Sequence, residues 1–325
     1  MFVFSFLPFL KCGRFLKFSD TFINIVLYFK VGFPGYDIQV PEKEGIYWLL
    51  KAVNMISEIT SVQMFGIKTP VIKAGDELVP VLEAAFRNAG LELEDGDVLV
   101  VAESVVATSE NRVVELAGVN PGKKALELGE SYGLDPREME LVLQECDELF
   151  GGVQGAALTI TQGILAPNAG IDASNAPEGC VVLLPENPRK SAEGIRKRLE
   201  KAYSCRIGVI VGDSRTQPLR LGCMGLALGV SGFEPVEDDR GLCDIYGKIL
   251  TLTHRAIADN LVSAAELLMG EAGEQVPAVL IRGVPIKLMD SSPEVPTISM
   301  EGCMYFGNIG KTKIGETGSE KQKND

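Results

Sequence analysis

Histidine is almost absent from this chain of 325 residues, where His254 is the only one. A Ser-His-Asp triad or a site with several histidine ligands is excluded unless His254 supplies all of its imidazole. The seven cysteines are odd in number and contain no C-x-x-C pair. They indicate neither a zinc site nor a disulfide framework, and they fit a reducing, cytoplasmic location. Any catalytic metal is therefore expected on carboxylates, whose oxygens suit Mg²⁺ or Mn²⁺.

Positive charge and the common nucleotide motifs are also scarce. The formal net charge is −13, and no basic stripe is present, which argues against a nucleic-acid partner. Neither GxxxxGK[ST] nor a GxGxxG that follows a strand occurs, so a nucleotide site has to be of another kind. With 46% hydrophobic and 23% charged residues, the composition fits a soluble globular protein of one large domain or two ordinary ones.

The first 63 residues differ in composition from the rest. They hold Trp48, the only tryptophan, and nine of the fourteen phenylalanines lie in residues 1–33. Their apolar runs are shorter than the ~20 residues of a membrane-spanning helix. Three interpretations stay open: an untranslated stretch with Met64 as the true start, a membrane-surface anchor, or an accessory element. We favour the first, because Met64 opens directly into a domain-like pattern. Residues 285–325, which lack apolar periodicity, are predicted to be a disordered tail.

The body of the chain, residues 64–284, mixes predicted helices and strands without strict alternation. Residues 75–90 have helical periodicity and end at Gly90, and Asp135 precedes Pro136 as a helix N-cap would. Residues 95–106 and the apolar run before Asp213 predict strands. The pattern favours an α+β fold of mixed sheets with flanking helices over a doubly wound one.

Three acidic positions lie where predicted elements end. They are Asp172 in the run NAGIDASN, Asp213 with Ser214 after an apolar strand, and Glu271 after a helix. Carboxylates and a hydroxyl from separate elements could hold a pair of hard cations. The alternative is turn or cap chemistry for the two aspartates and a solvated surface position for Glu271.

Glycines recur just beyond the second acidic position. Gly222, Gly225 and Gly229 could line a phosphate path, because glycine lets backbone N–H groups approach an anion. The other interpretation is tight strand packing.

Several motifs follow one another in a distinctive order. They are NAGIDASN, a strand ending in VGDS, PLRLG-x-x-G-x-ALGVSGF, DDRG-x-x-D-x-YG and LLMGE-x-G-E-x-x-P-A-V-L-I-RG. Together, over roughly residues 65–284, they resemble the coenzyme F420-0:L-glutamate ligase family of γ-glutamyl ligases. The resemblance implies an unusual α+β fold and an intertwined homodimer. It also implies GTP-dependent addition of L-glutamate to F420-0 through an acyl phosphate, with a pair of Mg²⁺ or Mn²⁺ ions and potassium.

The resemblance also implies roles for individual residues. Asp172 and Asp213 match the ligands of one metal, and Ser214 and Glu271 those of the second. Asp172, Asp213 and Arg220 match the catalytic set. The matched nucleotide contacts are Thr69, Pro70, Val71, Ile72, Glu103, Ser104, Asn175, Met269, Gly270, Ala272 and Gly273.

Two positions depart from the family pattern. Thr108 stands where the family has a lysine near phosphate, and Thr216–Gln217 replace a Gly-Arg pair. Losing a fixed positive charge weakens phosphate binding, and Arg215 is a candidate to replace it. Two further hypotheses follow: the same chemistry on a different cofactor acceptor, or a non-catalytic paralogue that binds nucleotide or metal.

Overall fold

The computed structural model describes residues 30–33, 36–39 and 61–308. The chain forms two compact units, Met1–Ser61 and Val62–Asp325. In the first unit, strands β1 (Lys30–Phe33) and β2 (Tyr36–Gln39) form an antiparallel pair. The interpretations offered for residues 1–63 otherwise concern residues outside the described part.

Within residues 61–308 the second unit contains six α-helices and twelve β-strands. The helices are α1 (Leu78–Ala89), α2 (Glu103–Ser109), α3 (Lys123–Tyr132), α4 (Pro136–Glu145), α5 (Pro188–Tyr203) and α6 (Ile257–Met269). The strands are β3 (Gln63–Ile67), β4 (Val98–Ala102), β5 (Val113–Glu115), β6 (Glu148–Val153), β7 (Ala156–Thr161), β8 (Ile164–Pro167), β9 (Cys180–Val182), β10 (Gly208–Thr216), β11 (Cys223–Ser231), β12 (Val236–Asp238), β13 (His254–Ala256) and β14 (Ala278–Arg282). None of these helices has the length and hydrophobicity that crossing a bilayer requires.

A five-stranded mixed sheet in the order β11-β10-β4-β14-β3 is the centre of this unit. Strands β4 and β10 are parallel, and the other neighbouring pairs are antiparallel. Smaller sheets pair β5 with β9, β12 with β13, and β6 with β7 and β8. The predicted α+β class is confirmed.

Both faces of the central sheet are covered, which explains its nearly continuous apolar strands. Leu99, Val101 and Val209 alternate onto the face that packs with α1 and α5. Val100 and Ile210 point to the opposite face, against α6. A separate apolar cluster joins α3 and α4 to β7. The core therefore consists of one apolar cluster on each face of the central sheet and a third beside α3 and α4.

The predicted helix ends are confirmed at both positions. Gly90 follows α1 in the left-handed conformation, with φ of 65°. The Asp135 side chain accepts a hydrogen bond of 2.8 Å from the backbone N–H of Arg137 at the start of α4.

Residues 156–167 form a hairpin, whose turn residues Gln162 and Gly163 both take positive φ, as a two-residue primed turn requires. One predicted boundary is wrong: strand β10 continues through Thr216, so Asp213 and Ser214 lie inside a strand. Pairing with β11 keeps this polar stretch extended.

The predicted disordered tail is wrong for its first part. The Met289 N–H donates to the Gly232 carbonyl at 2.7 Å, and the Gly232 N–H donates to the Ser291 carbonyl at 3.0 Å. Ile286 and Val295 pack against the core. The sequence of this segment lacks the apolar periodicity of a helix or a strand, so it did not indicate these contacts. Residues 309–325 lie outside the described part.

Arg196 fixes this segment to α5. Its guanidinium, nearly inaccessible to solvent, donates to Ser231 Oγ at 2.7 Å, Glu200 Oε2 at 2.8 Å and the Asp290 carbonyl at 2.7 Å. We expect Arg196→Met to lower the free energy of unfolding by about 3 kcal/mol, because it leaves buried polar partners unsatisfied. Urea denaturation measures the change. Arg198→Met is the control on the same helix: its ion pair with Glu77 is exposed, so less than about 1 kcal/mol is expected. Equal losses in both variants would contradict the assignment.

Candidate functional site

The parallel pairing of β4 with β10 places two acidic residues side by side. Ala102 and Gly212 are paired in register, so the residues that follow them, Glu103 and Asp213, lie side by side where β4 ends. The β10–β11 register shifts between Val211 and Gly212, directly before Asp213. Bulges of this kind redirect side chains and are common beside active sites.

Strand β14 brings a third element to the same edge. It runs antiparallel to β4 and β3, so its first residues lie beside the last residues of both. The Ala102 N–H donates to the Pro277 carbonyl at 2.9 Å, and the Thr69 N–H to the Gln275 carbonyl at 3.2 Å. The loop of residues 270–277 therefore meets the chain that leaves β3.

Asp172 arrives from outside the central sheet. It follows a 3-10 turn, Asn168–Gly170, whose residues all take positive φ. Gly170 is required there, because a Cβ would lie 2.6 Å from the Leu184 side chain. Asp172 exchanges two backbone hydrogen bonds with Val182, and its Oδ1 accepts a bond of 2.7 Å from the Ser174 N–H. The predicted turn chemistry at Asp172 is thus present, and its carboxylate still faces the site.

These elements enclose an acidic cavity of about 350 Å³. Its acidic lining residues are Glu103, Asp172, Asp213, Glu266 and Glu271. Ser214 also lines it, and Ser214 Oγ donates to Glu271 Oε2 at 3.4 Å. The four residues matched to metal ligands therefore reach one cavity. Arg220 does not line it and is exposed in the loop between β10 and β11.

A neighbouring cavity of about 270 Å³ adjoins the acidic cavity. Ser104, Asn175, Met269 and Gly270 line both. The residues matched to nucleotide contacts that line the neighbouring cavity alone are Thr69, Pro70, Val71, Ile72, Ala272 and Gly273. Glu103, also matched to the nucleotide, lines the acidic cavity instead. Thr108, one of the two departures from the family pattern, lines the neighbouring cavity.

Burial and mutual repulsion raise the pKa values of the cavity carboxyls. Burial, followed by repulsion from Asp172 and Glu271, raises the pKa of Asp213 to about 7. Burial and then Glu271 and Asp213 raise the pKa of Glu266 to about 7. The pKa of Glu103 is well above its ordinary value for the same reasons, burial first and Asp213 second. A cation would relieve this repulsion.

The donor set fits Mg²⁺ or Mn²⁺, which take carboxylate and hydroxyl oxygens. Within residues 61–308, no three His, Cys, Asp or Glu side chains lie close enough together to hold one ion by themselves. Such a site suits a cation that one or two carboxylates bind together with water and substrate phosphates.

Sequence reasoning missed Glu266. It lies in the last turn of α6, where the helix dipole disfavours negative charge. An acidic residue at such an unfavourable position of a predicted helix was the feature of the sequence that could have indicated a functional role. The phosphate-path interpretation of the glycines is not supported, since none of the three lines either cavity. A Cβ on Gly225 would lie 2.3 Å from the backbone N of Ser263, and one on Gly229 2.3 Å from Pro188. Tight packing explains these two positions.

Asp213 makes the stability of the metal-free protein depend on pH. Its carboxyl keeps its proton up to about pH 7 when folded, but releases it near pH 4 when unfolded. The folded state binds more protons in this interval, so stability falls as the pH rises. In EDTA we expect Asp213→Asn to be more stable than the wild type by about 1–2 kcal/mol at about pH 8, and nearly equal at about pH 4. Urea denaturation at both pH values measures this. The exposed Asp147→Asn control should change neither value, and a pH-independent difference for Asp213→Asn would refute the prediction.

Comparison with known proteins agrees with this geometry. Residues 66–283 match the family model F420-0:Gamma-glutamyl ligase. The chain is 38% identical to the coenzyme F420:L-glutamate ligase of Methanothermobacter thermautotrophicus, over 69% of this chain and 90% of the relative. It is 38% identical to that of Methanocaldococcus jannaschii, over 71% and 92%, and 36% identical to that of Archaeoglobus fulgidus, over 72% and 92%. The chain belongs to the F420-0:γ-glutamyl ligase family.

Proposed function

We propose that this protein is a GTP- and metal-dependent ligase that adds L-glutamate through a γ-linkage to coenzyme F420-0 or a related acceptor. One observation carries the proposal. The residues matched to metal ligands line one cavity, and most of those matched to nucleotide contacts line the cavity that adjoins it. Phosphoryl transfer requires this juxtaposition, because its catalysis consists mainly of positioning and charge stabilisation.

Asp172 and Asp213 would hold one divalent cation, and Ser214 with Glu271 the second. Their side chains lie in the acidic cavity, where the raised pKa of Asp213 reflects uncompensated negative charge. Bound Mg²⁺ or Mn²⁺ supplies charge neutralisation for the phosphates. Potassium, which the family resemblance implies, is part of the proposed reaction mixture.

The proposed reaction has two displacements. An acceptor carboxylate oxygen attacks the γ-phosphorus of GTP, the bond to the β-phosphate oxygen breaks, and GDP leaves. The amine of L-glutamate then attacks the acyl carbon, a C–N bond forms, and phosphate leaves as the nitrogen loses a proton. The loops of residues 69–72 and 269–276 would orient the nucleotide beside the acidic cavity.

Thr108 supports a second candidate, the same chemistry on a different acceptor. This side chain lines the neighbouring cavity, and Thr216 lines the acidic cavity. Thr108 and Thr216 therefore face the space that substrates would occupy, whereas Gln217 lines neither cavity. A non-catalytic paralogue that binds nucleotide or metal is the third candidate. The cytoplasmic location of this protein stays a prediction.

A second copy of this chain is the proposed partner. Several apolar side chains in the loops of residues 217–222 and 241–252 are largely exposed: Leu219, Leu221, Leu242, Ile245, Tyr246, Ile249 and Leu252. Exposed apolar groups concentrated in this way are typical of an interaction surface. The proposed homodimer would cover them.

The activity test uses the full chain with GTP, L-glutamate, F420-0, K⁺ and either Mg²⁺ or Mn²⁺. Mass spectrometry should detect a product heavier by one or more glutamyl units. Asp213→Asn should reduce turnover at least about 100-fold, because it removes a charge that stabilises the proposed metal and phosphate site. Asp147→Asn, an exposed aspartate outside both cavities, should leave turnover unchanged.

Each other outcome selects a different conclusion. Wild-type turnover of a cofactor from cell extract, but not of F420-0, would favour the different acceptor. Tight GTP binding without phosphate release would favour the non-catalytic paralogue. Full turnover by Asp213→Asn would refute the metal assignment.

The dimer test measures molar mass by light scattering after gel filtration. We expect the wild type to elute as a dimer and Ile245→Asp to shift towards the monomer, because a charge at the interface opposes its burial. Ile245 is 91% exposed in the single chain, so the substitution should not unfold it. Val153→Asp, at another exposed apolar position, is the control and should remain dimeric. A monomeric wild type would rule out this surface as a self-association site.

A further inference from the structure

Two buried polar atoms lack a hydrogen-bond partner in the part of the chain that the structure describes. They are Arg215 Nε and Glu266 Oε1. Buried polar groups are nearly always paired, and an unpaired one lowers stability. Both residues line the acidic cavity. A donor and an acceptor, each without a partner, thus lie on the wall of the same cavity.

The two side chains come from different elements. Arg215 lies in β10, where Met224 of β11 is its register partner. Glu266 lies in the last turn of α6. Among the described ion pairs and hydrogen bonds, none joins their side chains, so they do not satisfy each other. Both side chains are therefore available to a polar ligand in the cavity that they line.

The pair lies apart from those nucleotide-matched residues that line only the neighbouring cavity. Neither Arg215 nor Glu266 lines the neighbouring cavity. Among the described residues that line the acidic cavity, Arg215 has the only cationic side chain. Glu266 lies near enough to Asp213 and Glu271 to feel their charge. The cavity therefore offers one site for an anionic group and a separate site for a cationic one.

We propose that Arg215 and Glu266 form the subsite that binds the α-amino acid substrate. The Arg215 guanidinium donates to the substrate carboxylate, since its planar fork matches carboxylate geometry. Glu266 accepts a hydrogen bond from the substrate amino group. This subsite rests on the proposed ligase function and specifies where its L-glutamate would bind.

The size and polarity of the cavity agree with such a ligand. Its volume of about 350 Å³ lies at the lower end of ordinary small-molecule sites. Asn168 also lines it, and its side-chain amide can serve a remaining polar group of an amino acid.

Steady-state kinetics of Arg215→Gln and Glu266→Gln test the subsite. In both variants KM for L-glutamate should rise at least about tenfold while KM for GTP stays within about twofold. Arg215→Gln should also lose the preference for L-glutamate over isoglutamine, whose α-carboxylate is an amide. A rise confined to KM for GTP would overturn the proposal and assign Arg215 to phosphate. A higher Mg²⁺ requirement with unchanged KM for L-glutamate would overturn it and make Glu266 a cation ligand.

Thermal unfolding distinguishes a ligand-binding role from a structural one. Since the two atoms have no protein partner, we expect neither substitution to lower Tm. Arg198→Gln is the matched arginine control, because its side chain lies outside both cavities and pairs with Glu77 on the surface. It should leave KM for L-glutamate unchanged. A lower Tm in both variants, with kcat reduced and KM unchanged, would show a structural role.

Calorimetry separates this proposal from the proposed function. The wild-type protein is titrated with L-glutamate in the presence of Mg²⁺ and a non-hydrolysable GTP analogue. Binding that both variants weaken at least about tenfold supports the subsite, even if F420-0 is not glutamylated and the proposed function fails. No binding by the wild type, or equal binding by all three proteins, would overturn the subsite, even if glutamylation is observed.

Discussion

The parallel pairing of β4 with β10 is the constraint on which the site depends. Strand β4 ends at Ala102, which is paired with Gly212 of β10, so the residues that follow them, Glu103 and Asp213, are forced together. Antiparallel β14 then returns the loop that carries Glu271 to this edge. Ligands of open sheets commonly bind beyond the carboxyl ends of parallel strands. Here that edge also receives Asp172 from outside the sheet.

This arrangement has an electrostatic cost. Burial removes water from Glu103 and Asp213, and neighbouring carboxylates add repulsion, so both pKa values rise. The covered sheet and its two apolar clusters provide the rigid support that holds the charges in place. Stored repulsion of this kind is usual where a protein binds cations or does chemistry. Arg215 and Glu266 extend the same principle, since both keep buried polar atoms unpaired at the same cavity.

Local features of the fold were predictable from the sequence, and long-range ones were not. Gly90 and Asp135 mark helix ends through chemistry confined to a few residues, and both predictions are confirmed. The Gln162–Gly163 turn was missed because glutamine rarely takes positive φ, so the pair has no strong turn signature. The packing of residues 285–295 depends on partners such as Arg196 and Gly232 that are distant in sequence. Periodicity cannot reveal contacts of that kind.

The residues of the candidate site also differ in whether the sequence alone indicates them. Asp172, Asp213, Ser214 and Glu271 were selected from the sequence because they lie at predicted element ends, within ordered motifs that resemble a known family. Glu266 belongs to no such motif, and only the packing of α6 against β11 brings it to the cavity. Arg220 has a motif match but projects from an exposed loop, so a match in sequence does not by itself place a side chain.

Two of the residues that depart from the family pattern, Thr108 and Thr216, line different cavities. The carboxylates that would serve phosphoryl transfer are unchanged, whereas Thr108 and Thr216 occupy lining positions that contact whatever fills the cavities. Arg215 restores a positive charge on the wall that Thr216 also lines. Under the proposed function, the chemistry depends on the fixed carboxylates, and the identity of the substrates depends on these three side chains. When a ligase keeps its reaction and changes what it joins, the carboxylates are expected to be retained and the side chains that contact the substrates are expected to diverge.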